Sequence, residues 1–236
     1  MIGVPRQLTL ELPLAPRFGD EDFLVARSNH VAYAMIERWP HWHGRVLLVT
    51  GPTGSGKSHL AAIWKRRAHA EEARLADLTR QPVSGIASRA ALLIEDIDQG
   101  VDGSGELPET ALFHLVNLMQ EHGHYLVLTA RGAPASLGLK TPDLLSRLRL
   151  AMNVTLGAPD DALVKDVLIK LFADRQLSVG PAVVDFIALH IDRSRDAARS
   201  AVDRLDREAL ARGGKITRRM AAQVLAVNAP EEDGEV

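Results

Sequence analysis

The sequence predicts an α/β fold, a parallel sheet flanked by helices, followed by a small all-α domain. Three observations lead there. Residues 45–50, 91–94 and 125–129 are short apolar runs of the kind that form strands covered on both faces. Segments with helical periodicity separate them, and strand, helix, strand at this spacing implies a parallel sheet. After about Gly157 the pattern changes: residues 160–176, 181–191, 195–212 and 217–226 all read as helices, with no further strand candidate.

Residues 1–16 hold three prolines and little periodicity, which reads as an extended, mobile arm. Ser28 and Asn29 are good helix-capping residues, and Ala32, Met35, Ile36 and Trp39 then recur at helical spacing until Pro40. The run 45–50 follows, then a glycine-rich turn and a helix from about Lys57. Pro108 opens a helix whose Leu112, Leu115, Val116 and Met119 share one face. The expected organisation is an arm over 1–17, an α/β base over 18–157, a helical unit over 158–228 and a disordered acidic tail over 229–236.

Composition narrows the function classes. A chain of 236 residues with 46% hydrophobic residues can bury a sizeable core. A net charge of -2 disfavours a strongly electrostatic partner, and 4% aromatics weaken any case for a base-stacking surface. With no cysteine, disulfides and thiolate metal sites are excluded. No stretch approaches the roughly 18 apolar residues of a membrane span, and no secretory signal is visible, so a cytoplasmic protein with no membrane role is expected.

The strongest chemical signal is Gly51-Pro-Thr-Gly-Ser-Gly-Lys-Ser58, which matches G-x-x-x-x-G-K-[ST] between a strand and a helix start. Glycines let the backbone wrap around phosphates, and amides at a helix start face an anion. Lys57 supplies a charge for the β- and γ-phosphates, and the Ser58 hydroxyl suits Mg²⁺. Gly51, Pro52, Thr53, Gly54, Ser55, Gly56, Lys57, Ser58 and the following His59 are therefore candidate nucleotide-binding residues. A second apolar run leads into Glu95 and Asp96, where the first acid would hold Mg²⁺ with Ser58 and the second would polarise the attacking water. Glu95 is one methylene longer than the commoner Asp. Thr129 ends the third strand, where a polar group reaches a γ-phosphate or serves only to pack.

These residues resemble the AAA+ domain of the replication initiator DnaA, and more closely the short DnaA-inactivating regulators of the Hda type. The resemblance covers roughly residues 18–228. Phe23-Leu-Val-Ala-Arg-Ser-Asn29 is similar to the segment that packs over adenine, F-V-x-G-x-S-N, with Ala26 in place of the glycine; it implies roles for Phe23, Leu24 and Asn29. Pro142-Asp-Leu-Leu-Ser-Arg-Leu148 resembles the stretch bearing the arginine finger, which places Arg147 at a position that acts on a neighbouring subunit's nucleotide. Asp192-Arg-Ser-Arg-Asp-Ala-Ala198 resembles the lid segment and places Arg195 at the lid arginine.

Gln7-Leu-Thr-Leu-Glu-Leu12 is similar to the Q-L-x-L-x-L peptide by which such regulators dock on the sliding clamp of the replicative polymerase, its β subunit. An extended peptide would turn Leu8, Leu10 and Leu12 to one face, with Gln7 setting register. The resemblance thus implies an AAA+ P-loop NTPase with a helical lid that binds ATP or ADP with Mg²⁺. Its partners would be the clamp and DnaA, whose bound ATP it would cause to be hydrolysed, with slow turnover of its own. Residues 160–228 hold 12 Lys and Arg against 10 Asp and Glu, so sequence-specific DNA binding is not expected. The alternative reading is a helicase loader or DNA-remodelling ATPase, and a homodimer or larger oligomer stays open.

Overall fold

The computed structural model of the protein describes residues 23–100 and 108–226. The arm with Gln7, Leu8, Leu10 and Leu12, and the acidic tail, lie outside the described residues. The chain divides into two compact units, with the break between Ala158 and Pro159.

In the first unit the order is α1 (His30–Glu37), β1 (Val46–Thr50), α2 (Lys57–Arg67), β2 (Glu71–Glu72), α3 (Asp77–Arg80), α4 (Val83–Ala87), β3 (Ala91–Ile94), α5 (Glu109–Glu121), β4 (Tyr125–Ala130), α6 (Pro142–Leu150) and β5 (Met152–Thr155). The five strands form one sheet in the order β2-β3-β4-β1-β5, and every pairing is parallel. The predicted α/β class holds, with helices on both faces. Every residue of β1 and β3 is buried, as continuous apolar runs in a covered parallel sheet require.

The two faces of β1 show how the core is shared. Val46 and Leu48 join the cluster of Ile94, Leu112, Leu115, Val116 and Met119, while Leu47 and Val49 join Leu60, Ile63 and Trp64. Strand alternation sends successive side chains to opposite sides, so β1 seals α5 on one face and α2 on the other. The predicted stripe of α5 is fully buried. Burying one such Leu stabilises by about 1.5–3 kcal/mol, so a polar residue at any of these positions should lower the melting temperature through the core and not through the site.

Four elements were not anticipated. Strand β2 is two exposed glutamates, given strand geometry by pairing Glu71 with Leu92 and Glu72 with Leu93. Strand β5 is an edge strand, alternately buried and exposed, whose Asn153 and Thr155 break any apolar run. Helices α3 and α4 are only four and five residues long, too short for a periodic signal. Capping was also misread at one helix: the Asn29 side chain makes no cap bond to α1. It turns back instead, accepting from the Ala26 amide at 2.8 Å and donating to the Leu24 carbonyl at 2.9 Å.

The second unit holds α7 (Asp161–Asp174), α8 (Pro181–His190), α9 (Arg195–Arg212) and α10 (Arg218–Leu225), close to the four expected helices. Side chains of Asp160, Ser194 and Thr217 cap α7, α9 and α10 by accepting the amides of Leu163, Ala197 and Met220. Leu163, Phe172, Phe186, Val202, Leu205 and Met220 are among the residues that fill its interior. Among the described residues no helix is long and apolar enough to cross a membrane.

Candidate phosphate and nucleotide site

The carboxyl ends of β3, β4 and β1 lie side by side, and this is where parallel α/β sheets place their ligands. From β1 the chain runs directly into the glycine loop. Gly51, Gly54 and Gly56 have φ of 153°, 74° and 99°, and Gly56 caps α2, so the loop delivers its amides to a helix start. Gly51 is also sterically required. A Cβ there would lie 2.5 Å from the Leu156 carbonyl oxygen and 2.9 Å from Ser55 Oγ.

Lys57 opens α2 and is 7% exposed. Its Nζ donates to the carbonyls of Gly51 at 2.8 Å and Pro52 at 3.0 Å, arching over the loop. Burial lowers its pKa, and the nearby Asp96 and Asp98 oppose that shift by favouring the charged form. Ser55 Oγ is buried with no hydrogen-bond partner inside the same loop. A loop of amides, an ammonium and an unsatisfied hydroxyl suits a polyphosphate. Pro52 and Thr53 are exposed on its outer side.

Beyond β3, Glu95 accepts a hydrogen bond from the Ser58 hydroxyl, which brings the two expected Mg²⁺ ligands together. Burial is the main cause that raises the Glu95 pKa, and Asp96 adds to it, so ionised Glu95 is held at a cost the cation would relieve. Among the described residues no group of three or more His, Asp or Glu is placed to hold a metal ion by itself. That suits Mg²⁺, which is commonly bound by one or two protein ligands together with substrate phosphates.

A pH test follows from the direction of that shift. An acid with a raised folded pKa adds stability below 4.5, its ordinary value, and loses it as pH rises through the folded pKa. Glu95→Gln therefore melts at a higher temperature than the parent at pH 7, and the gain fades as pH falls from the folded pKa towards 4.5. A gain that persisted in acid would trace to packing and not to ionisation.

Asp96 takes the left-handed conformation at φ 52°, which Asp tolerates better than most residues. Its amide donates to Thr129 Oγ1 at 2.8 Å, and Thr129 is fully buried. The Thr129 hydroxyl thus holds the turn that carries the acids. Within a short 3-10 turn over Ile97–Gln99, Asp98 accepts the Arg131 amide at 3.1 Å. Asp98 ends the acid-bearing run 92–98 without an expected role and Arg131 belongs to no recognised motif; the sheet order puts both near Lys57.

The segment 23–29 packs alongside the loop helix. Phe23 is buried, stacked on Tyr33 at 5.4 Å and edge-on to His59 at 5.2 Å. His59 is thus buried in the first turn of α2 behind the loop. The Asn29 bonds to Leu24 and Ala26 fix the shape of this segment, and the Gly157 amide donates to the Ser28 carbonyl at 2.7 Å. Ala26 keeps a negative φ, so the position at which the related segment has glycine needs none here. Phe23 and Asn29 accordingly shape the segment from beneath.

Arg147 lies in the last turn of α6 with Arg149 and Leu150, all three exposed; Leu150 is 78% exposed. Arg195 belongs to the second unit, at the first position of α9 after the Ser194 cap. Burial, then the adjacent charge of Arg199, pushes its pKa down to about 10, which still leaves it charged at neutral pH.

No protein-family model matches this sequence. The chain is 26% identical over 218 residues to the chromosomal replication initiator DnaA of Bacteroides thetaiotaomicron, covering 82% of this chain and 46% of that protein. It is also 26% identical over 225 residues to DnaA of Thermotoga maritima, covering 86% and 50%. The chain spans about half the length of these relatives. Among solved structures it resembles domain III of Thermotoga maritima DnaA, with a TM-score of 0.76, 21% identity, and 91% and 98% of the two chains covered. Its fold is that of the DnaA AAA+ domain III. AMPPCP-bound DnaA from Aquifex aeolicus is similar at a TM-score of 0.69 and 17% identity, covering 84% of this chain and 68% of that one. The Holliday junction branch migration motor RuvB of Thermotoga maritima follows at 0.64 and 14%, covering 86% and 69%. A similar fold is thus also found outside DnaA.

Proposed function

We propose that this protein is an adenine-nucleotide-binding AAA+ regulator of replication initiation that promotes hydrolysis of ATP held by DnaA. The observation that carries the nucleotide part is the Lys57 ammonium arched over the Gly51 and Pro52 carbonyls, beside the Ser58–Glu95 pair. The AMPPCP-bound DnaA relative supports an adenine nucleotide as the ligand.

Within the site the loop amides and Lys57 would hold the phosphates, and Ser58 with Glu95 would hold Mg²⁺. When bound, Mg²⁺ supplies charge neutralisation at the phosphates. Asp96, aimed by its amide bond to Thr129, would orient water. Burial disfavours the ionised form of Glu95, and a bound cation would offset that cost. Phe23, Leu24 and Asn29 would form the base-side wall, and Arg195 would report the nucleotide to the lid.

The regulatory part rests on the DnaA-like domain and on the exposed Arg147. A guanidinium offered from one AAA+ subunit to a neighbour's nucleotide stabilises charge on the transferred phosphoryl group. The peptide Gln7-Leu-Thr-Leu-Glu-Leu12 would place the protein on the DNA-loaded clamp, and DnaA would be the second partner. The test is hydrolysis of DnaA-bound ATP, with this protein and the clamp on DNA supplied separately and together. Acceleration only in the complete mixture supports the proposal, and Gln7→Ala with Leu8→Ala should remove the clamp dependence without lowering nucleotide affinity. No acceleration in the complete mixture overturns it and leaves the loader reading ahead.

A further inference from the structure

We propose that Glu109 is the positioning residue for Arg147, holding the start of the helix that presents its guanidinium; this rests on the regulatory reading above. Glu109 is the first residue of α5 and belongs to neither the phosphate loop nor the acid-bearing turn. One of its carboxylate oxygens accepts the Lys140 amide at 2.9 Å, and the other accepts the Thr141 amide at 2.6 Å. The Thr141 hydroxyl donates to it as well. Burial opposes ionisation of Glu109, but these three donors outweigh it and lower its pKa, so the group is a carboxylate at neutral pH.

Thr141 stands at the N-cap of α6, yet its side chain makes no cap bond to that helix. The hydroxyl is turned to Glu109 instead, so a carboxylate from another helix fixes the cap residue from outside. A negative charge near the amino terminus of α6 also suits the helix dipole. Around Lys140 and Thr141 the described residues leave a cavity of about 550 Å³, lined in part by Leu78, Thr79, Leu137 and Gly138. Packing is thin there, and the hydrogen bonds of Glu109 set where α6 begins. At the far end, Asn153 Nδ2 donates to the carbonyls of Leu148 and Ala151 at 3.1 and 2.6 Å. Between these two polar anchors, Leu144 and Leu148 are the buried residues of the helix.

Arg147 lies between the anchors with an exposed side chain, so the helix axis sets where its guanidinium can reach. With the end at Leu150 held and a rise of about 1.5 Å per residue, a shift of about 3 Å at Pro142 moves Arg147 by about 1 Å. A misplacement of about 1 Å costs a reaction as much as about 100-fold. A finger acts on the nucleotide of another subunit, so no ligand of its own chain corrects its aim. Glu109 therefore serves the stimulated reaction without touching the nucleotide.

The experiment measures hydrolysis of DnaA-bound ATP, with DNA-loaded clamp, over a range of concentrations of this protein. The parent is compared with Glu109→Gln, Glu109→Ala, Arg147→Ala and the double variant of Glu109→Gln with Arg147→Ala. Glu109→Gln keeps one acceptor oxygen and turns an NH₂ group towards the second amide. Its maximal stimulation should fall by about tenfold, while the half-maximal concentration and its own affinity for ATP stay within about twofold. Glu109→Ala should fall at least as far. The double variant should be no worse than Arg147→Ala alone, because Glu109 acts only through that arginine. An unchanged maximum in Glu109→Gln overturns the proposal, and so does a double variant in which the two single losses multiply. A loss seen as a raised half-maximal concentration with a lower melting temperature marks a merely structural residue, and overturns it too. No stimulation by the parent, or no loss in Arg147→Ala, overturns the regulatory reading and this proposal with it; both are read without any Glu109 variant.

Discussion

Lys57→Ala should weaken both ATP and ADP by about 10- to 100-fold, since a hydrogen bond to a charged group is worth roughly 1.5–3 kcal/mol. Fold stability should barely move. The ammonium is buried and its pKa lowered, so the charged form is disfavoured in the folded protein, and its removal relieves that strain. Against this stand two lost bonds to Gly51 and Pro52. The two effects nearly cancel, so the melting temperature should stay within about 4 °C, the shift that roughly 1 kcal/mol produces at this size. A pH series adds a check. A lysine with a lowered folded pKa makes the protein more stable as pH rises from that pKa towards 10.5, and Lys57→Ala should lack the rise. Unchanged affinity for both nucleotides would sink the phosphate-site assignment.

Arg147→Ala should lose most of the stimulation of DnaA-bound ATP hydrolysis, by roughly 10-fold or more; fingers of GTPases give 10³ to 10⁵. The variant should remain folded, because Arg147 is exposed and the buried side of α6 is made by Leu144 and Leu148. Nucleotide binding by the protein itself, and its attachment to the clamp, should also persist. Arg149→Ala is the control, since Arg149 shares the last turn of α6 and is exposed to a similar extent. Equal losses from both variants would mean a general basic docking surface in which the nearby exposed Leu150 takes part. Full stimulation by Arg147→Ala would place the acting group elsewhere.

The two predictions differ in how they could be reached. Lys57 was legible because a phosphate loop has a spacing that chance rarely reproduces, and the flanking strand and helix could be read beside it. Arg147 was legible only through likeness to a family, since one arginine on an amphipathic helix is ordinary. Asn29 shows the opposite case. Its residue type suits a helix cap, yet the Leu24 carbonyl and Ala26 amide compete for the same side chain and win. Local propensity could not decide this, because both outcomes satisfy the amide group equally well.

Sequence by itself determined the class of fold, the stripe of α5, the four helices after the break and the phosphate loop. Each is encoded within a window of residues, by a period of 3.6, an unbroken apolar run or a fixed spacing of glycines. Tertiary structure decided the rest. Strands β2 and β5 exist because β3 and β1 offer unpaired backbone at their edges, not because Glu71–Glu72 or Met152–Thr155 favour extension. The tether from Asp96 to Thr129 spans 33 positions, as does that from Arg131 to Asp98, and both arise only when β4 is inserted beside β3. Strand order is set by how the two faces of the sheet can be buried together, and that is a property of the whole chain, which no local window contains.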